Sequence, residues 1–167
     1  MSGIYLSLGS NLGDREATIE KALLEIDQLE STQITRVSSI YDTDPVEVQD
    51  QPRFLNVVIE IESDIGPHQL LWNLKLIERR LGRVRAKRWG PRVIDIDILL
   101  HGDRVVDEPE LTLPHPALAD RAFVLIPLSE MVPDLPHPVL GERISELMDR
   151  LSDADHGSVH KLGRLSY

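Results

Sequence analysis

The segment Val93-Ile94-Asp95-Ile96-Asp97-Ile98-Leu99 constrains this chain more than any other. Apolar and acidic residues alternate with a period of two, the mark of a β-strand whose faces meet different surroundings. Ile94, Ile96 and Ile98 then face a core, and Asp95 and Asp97 stand together on the opposite side. Aspartate is depleted in strands, so two in one short strand is a costly arrangement. Ionised carboxylates this close repel unless a cation sits between them. Magnesium takes one or two protein carboxylates together with substrate phosphate oxygens, and two such ions can bridge a polyphosphate. The plainer alternative is a pair of solvated residues on an exposed sheet face, and the motif alone leaves both readings open.

The rest of the chain supplies partners for that strand. Residues 3–10 alternate, with Ile4, Leu6 and Leu8 on one face, and Gly9 and Gly13 mark the turn that follows. Residues 14–29 carry Ile19, Ala22, Leu23, Ile26 and Leu29 at helical spacing behind Asp14, a suitable N-cap. Residues 33–41, rich in β-branched side chains, predict a second strand. Residues 54–62 predict a third, with Leu55, Val57, Ile59 and Ile61 on one side and Phe54, Asn56 and Val58 on the other. Residues 67–81 read as a helix with proline in its first turn, an apolar stripe of Leu70, Leu74, Ile77 and Leu81, and Gly82 as its stop. Residues 93–100 form the last main strand, and loops are expected at 44–53 and 83–91.

The order strand, helix, strand, strand, helix, strand predicts an α+β, ferredoxin-like βαββαβ sandwich with its helices on one sheet face. After His101 the prolines at 109, 114, 116, 127, 133, 136 and 138 predict short strands and turns wrapped on the main sheet. One further helix is expected over 143–151, and residues 153–167 read as a weakly ordered tail.

At 167 residues the chain suits one domain, 1–167. It contains no cysteine, which excludes disulfides, thiolate catalysis and cysteine-ligated zinc. Met1-Ser2-Gly3-Ile4 opens without a basic segment and a long apolar run, so no secretory signal is expected. No stretch approaches the ~20 apolar residues of a membrane helix, and the expectation is a cytoplasmic protein without membrane or nucleic-acid partners. The net charge of −10 argues against a general nucleic-acid binder. Yet Arg83, Arg85, Lys87, Arg88 and Arg92 crowd into one acid-free segment that leads into the aspartate strand. A local basic cluster in an acidic protein points to a small anionic ligand, since guanidinium groups grip phosphate in bidentate fashion and keep their charge. Trp89 in that segment either covers a ligand or packs on a sheet edge. Asn56 offers a donor and an acceptor side by side, which suits the amide edge of a pterin or purine on which Phe54 could stack; a surface asparagine is the alternative. Gly9-Ser10-Asn11-Leu12-Gly13 lacks the Gly-Lys-Ser/Thr ending of a P-loop and reads as the turn into the first helix.

These residues resemble a known family. Tyr5-Leu6-Ser7-Leu8-Gly9-Ser10-Asn11-Leu12, Gln49-Asp50-Gln51-Pro52 with Phe54-Leu55-Asn56, Gly82-Arg83-Val84-Arg85, Arg88-Trp89-Gly90-Pro91-Arg92 through Asp95-Ile96-Asp97, and Leu113-Pro114-His115 stand in family order and spacing. The chain resembles the 6-hydroxymethyl-7,8-dihydropterin pyrophosphokinases of folate biosynthesis. The resemblance implies a ferredoxin-like fold and transfer of pyrophosphate from ATP, with AMP leaving, to the pterin alcohol, assisted by two Mg2+ ions and carried out by what is expected to be a monomer. It implies that Asp95 and Asp97 hold the metal, that Arg83 and Arg92 grip phosphate, and that Arg85 and Arg121 support them. Phe54 and Phe123 would sandwich the pterin, Asn56 would read its polar edge, and Thr43, Pro45 and Trp89 would lie near it. Glu78, Ile98, Thr112 and His115 match positions around ATP. The chain departs from the family at Glu110, where some members carry arginine, and at Pro116, Asp44 and Lys75. A two-metal phosphohydrolase and a non-catalytic anion-binding module are the rival readings of the same residues.

Overall fold

A computed structural model describes residues 3–43, 53–82 and 93–165. Among the described residues, eight strands and five helices run in the order β1 (Ile4–Ser10), α1 (Arg15–Asp27), β2 (Thr32–Val37), β3 (Ile40–Thr43), β4 (Phe54–Ser63), α2 (Pro67–Arg80), β5 (Asp95–His101), β6 (Val106–Asp107), β7 (Thr112–Leu113), a 3-10 turn (Leu118–Asp120), α3 (Ala122–Met131), α4 (Ile144–Asp149), α5 (Asp153–Gly157) and β8 (Val159–Gly163). The main antiparallel sheet has the order β5-β1-β4-β3-β8, with β2 also on β4. The elements from β1 through β5 reproduce the expected ferredoxin-like frame, apart from a break in the strand predicted over 33–41. The loops expected at 44–53 and 83–91 lie outside the described residues, save Arg53.

That break has a local cause. The Ser38 backbone N–H donates to the Val58 carbonyl, and the Ser38 hydroxyl accepts the Val58 N–H. The side chain thus takes a bond that a continuous strand would make with its backbone. Ser39 then turns to Glu130 of α3, whose Oε2 accepts its N–H at 2.9 Å, while Tyr41 Oη donates to Oε1 at 2.5 Å.

Alternation along the strands builds two cores. Leu6, Leu8, Leu55, Val57, Ile59, Ile96 and Ile98 meet Ile19, Leu23 and Ile26 of α1 and Leu70, Leu74 and Ile77 of α2 on one face. Each such side chain, fully buried, contributes about 1.5–3 kcal/mol. Asp14 caps α1 by accepting the Ala17 N–H, and Gly82, at φ +98°, follows α2 in the left-handed region. On the opposite face lies the segment after His101, expected to wrap on the sheet with one helix over 143–151: Tyr5, Val58, Leu99 and Leu100 pack there against Leu118, Val124, Leu125 and Leu128 near α3, and Ile144 and Leu147 of α4. Helix α3 escapes sequence reading because it is apolar on all sides and carries Pro127 inside it. The tail, expected to be weakly ordered, forms α5 and β8, and β8 extends the sheet by pairing with β3. None of the described helices is long and apolar enough to cross a membrane.

At the end of the sheet covered by α3 and α4, Glu60 is a hub. It accepts from Tyr5 Oη at 2.7 Å, Thr35 Oγ1 at 2.7 Å and Arg36 Nη2 at 2.9 Å. The Arg36 guanidinium, helped by the two hydroxyls, holds the Glu60 carboxyl down at about 2. A depressed carboxyl stabilises the fold above the ordinary carboxylate range and loses that contribution as pH falls through about 2. Glu60→Gln is therefore expected to lower stability at pH 7 while leaving it nearly unchanged at pH 2, measured by urea unfolding across that range.

Candidate active site

Register decides which side chains meet. Asp95 of β5 lies opposite Gly9 of β1, and Gly9 lies opposite Asn56 of β4, which lies opposite Tyr41 of β3. The next row runs Asp97, Ser7, Val58. On the other side of the Asn56 row, Thr43 pairs with Phe54. Residues directly opposite share a face, so Asp95, Asp97, Asn56, Phe54 and Thr43 occupy the face away from α1 and α2. The aspartates are half-buried beside a buried Ile96, as their alternation predicts.

Gly9 is the one position in this row without a side chain, and the space is used. A Cβ there would stand 2.8 Å from Asn56 Oδ1 and 3.5 Å from the Phe54 ring. Asn56 is 3% exposed, which removes the surface-asparagine alternative, and its Nδ2 donates to Thr43 Oγ1 at 2.6 Å. Its carboxamide is thereby fixed in orientation, with Oδ1 lying over Gly9.

Strand β5 is a sheet edge, and an open cleft of about 380 Å³ runs along it. Asp95, Asp97, Ile98, Glu78, Thr112, His115 and Arg121 all contribute to its walls. That volume lies in the range of small-molecule sites. Glu78, although buried, is a polar anchor: its Oε2 accepts the Ile96 N–H at 2.7 Å, holding the backbone between the two aspartates from outside the sheet. The segment carrying His115 is tied alongside by its backbone N–H, which donates to the Leu99 carbonyl at 2.9 Å.

His115 has a defined state. Burial, reinforced by the Arg121 charge and only partly offset by Asp95, pushes its imidazole down to about 4. Nδ1 accepts the Ala117 N–H at 3.1 Å, so the neutral ring carries its proton on Nε2, 4.0 Å from Asp97 Oδ2. Arg121 stands at the start of α3, and its guanidinium lies 5.5 Å from the centre of the Phe123 ring, within cation–π range. It joins the cleft to the sheet face.

The structure thus gathers Glu78, Asp95, Asp97, Ile98, Thr112, His115 and Arg121 at one cleft, and Thr43, Phe54 and Asn56 on the adjoining face. Pro45, Arg83, Arg85, Trp89 and Arg92 lie outside the described residues. Sequence reading missed Gly9, taken as a turn residue, and Leu71 and Leu111, which also line the cleft; Lys75, named as a departure from the family, lines it too. A glycine inside a strand marks close approach of another group, and that signal was present at Gly9. The cleft-lining residues of α2 carried none, because a helix facing a ligand and one facing water use the same residue types.

Fold and site define an α+β protein with an acid-lined cleft along the edge strand of the described sheet and a carboxamide-bearing face beside it. Residues 5–133 match the family model of 7,8-dihydro-6-hydroxymethylpterin-pyrophosphokinase (HPPK), and the chain belongs to that family. It is 46% identical over 127 residues to 2-amino-4-hydroxy-6-hydroxymethyldihydropteridine pyrophosphokinase of Bacillus subtilis, covering 76% of each chain. To the enzyme of the same name from Pseudomonas aeruginosa it is 43% identical over 145 residues, 87% of this chain and 89% of the relative. A solved structure of Plasmodium falciparum HPPK-DHPS shares the fold at TM-score 0.75 and 17% identity; all of this chain is covered, but it spans only 48% of that longer one.

Gly9→Ala is expected to displace the Asn56 carboxamide and break its bond to Thr43, with stability reduced by about 1–3 kcal/mol as in other overpacked cores. A shifted Asn56 side-chain amide signal in NMR, alongside denaturant unfolding, measures both effects.

Proposed function

We propose that this chain transfers the pyrophosphoryl group of ATP to the hydroxymethyl oxygen of 6-hydroxymethyl-7,8-dihydropterin. The alcohol oxygen bonds to the β-phosphorus, the bond from that phosphorus to the α-phosphate oxygen breaks, AMP leaves, and the alcohol proton is released. The observation that carries the reading is the shared row Asp95, Gly9, Asn56. Two interstrand steps separate the acid from the carboxamide by about 10 Å, a span that a bicyclic ring with a short arm bridges.

The donor set fits magnesium. Asp95 and Asp97 offer hard carboxylate oxygens, while His115 has Nδ1 engaged and a proton on Nε2, so it presents a donor and no ligand atom. Asp95 and Asp97 would hold two Mg2+ ions, which supply charge neutralisation on the polyphosphate when bound. The chain's own groups do the rest. The Glu78 bond to Ile96 fixes the strand on which both acids ride. Arg121 and the His115 Nε2–H face the cleft as a cation and a neutral donor for phosphate oxygens, with Thr112 and Ile98 along the nucleotide's path. Asn56, held by Thr43, presents its carbonyl oxygen to the N–H groups of the pterin edge, and Phe54 and Phe123 offer ring faces. Arg83, Arg85 and Arg92 precede β5 in the chain and are assigned to the phosphates by resemblance, as Pro45 and Trp89 are to the pterin. Catalysis on this reading is positioning and electrostatic stabilisation, without a covalent intermediate.

A coupled assay is expected to detect AMP only when ATP, magnesium and the pterin are all present. Steady ADP or phosphate release without the pterin would overturn the reading. Asp95→Ala and Asp97→Ala are each expected to stay folded by circular dichroism and to lose at least about 10²-fold in turnover; full activity in either removes the metal assignment.

A further inference from the structure

Among the described residues the ladder between β3 and β4 has three pairs, Tyr41 with Asn56, Asp42 with Leu55 and Thr43 with Phe54, and on its other edge β3 pairs with β8, Thr43 opposite Val159. Its last described rung carries two of the residues assigned to the pterin. Strand β8 holds Thr43 from one side, which leaves the Phe54 side of the rung to be held if Thr43 is to keep Asn56 in place.

On the reverse side of the sheet a set of charges does so. Asp42 and Arg53 immediately neighbour Thr43 and Phe54, and alternation turns Asp42 toward α1. Arg53 Nε donates to Asp42 Oδ1 at 3.1 Å, and its Nη2 reaches the Asp42 backbone carbonyl at 3.4 Å. From the first turn of α1, Arg15 Nη1 donates to the Arg53 carbonyl at 2.8 Å and lies 3.7 Å from the same Asp42 oxygen. One carboxylate thus sits between two guanidinium groups, and both strand ends are tied by their backbone as well as their side chains. All three side chains are partly exposed, between 24% and 38%, and ion pairs of that kind add little to global stability. Their effect is local, on the rung they border.

We propose that Arg15, Asp42 and Arg53 are positioning residues for the pterin subsite, acting from the opposite sheet face through Thr43, Phe54 and Asn56. The inference rests on the pyrophosphokinase reading given above. The test is calorimetric titration of the full chain with 6-hydroxymethylpterin, in the presence of magnesium and a non-hydrolysable ATP analogue, and separately with the analogue alone. D42N is expected to weaken pterin binding by about fivefold, with analogue affinity and melting temperature close to wild type. The exchange variant D42R/R53D again places one carboxylate among two guanidinium groups, and is expected to bind the pterin more tightly than D42R alone. Equal pterin affinity in D42N and wild type overturns the inference, and so does a parallel loss of both ligands with a lowered melting temperature. A wild-type protein that binds no pterin removes the functional reading itself, and the inference with it.

Discussion

Strand β1 is paired on both edges, to β5 on one side and to β4 on the other, and its two registers govern everything built on the sheet. A slip of one residue in either ladder would turn a whole strand over. Slipping β5 would send Asp95 and Asp97 into the aliphatic core and Ile96 outward; slipping β4 would bury Phe54 and Asn56 under α1. The aliphatic side chains of β1, β4 and β5 that meet α1 and α2 make both slips prohibitively costly, because each would exchange several fully buried side chains for polar ones. The hydrophobic face is thus what aims the polar one. Ser7 and Gly9 complete the arrangement by being small, leaving room between the acids and the carboxamide.

Much of this was legible from residue order. The Ile-Asp alternation at 94–98 announced a strand with a functional face, and the apolar stripes of α1 and α2 announced the cover of the other face. The cleft residues Glu78, Thr112, His115 and Arg121 were placed by resemblance, since they come from α2, β7 and the segments between β7 and α3, and share no local pattern. Other features left no local trace. Helix α3 has no polar stripe because it is wedged between sheet and α4, so periodicity had nothing to report. The break at Ser38 depends on a hydroxyl reaching Val58, twenty residues away in the chain. Strand β8 is short and half-exposed, with the alternation VHKLG giving little hydrophobic signal, and it exists because β3 offers it an edge. In each case a long-range partner overrides what the local sequence can express.

Charge is distributed to suit a polyanionic ligand in an acidic protein. A chain of net charge −10 repels a nucleotide at long range, so attraction has to be local and poorly screened. Arg121 supplies a cation at the cleft wall, and its presence helps keep His115 neutral. A neutral imidazole offers its Nε2–H as a donor without adding a positive charge beside the aspartates.

The edge position of β5 has one more outcome. An inner strand exposes side chains on its faces only, whereas an edge strand is also open along its flank. Glu78 occupies that flank at the Ile96 amide, and the His115 N–H occupies it at the Leu99 carbonyl. Among the described residues the aspartates stand at a corner, between the sheet's surface on the Asn56 side and its margin on the α2 side. The carboxylates thus border, among those residues, both the cleft and the Asn56 face, a junction that a strand enclosed on both sides could not provide.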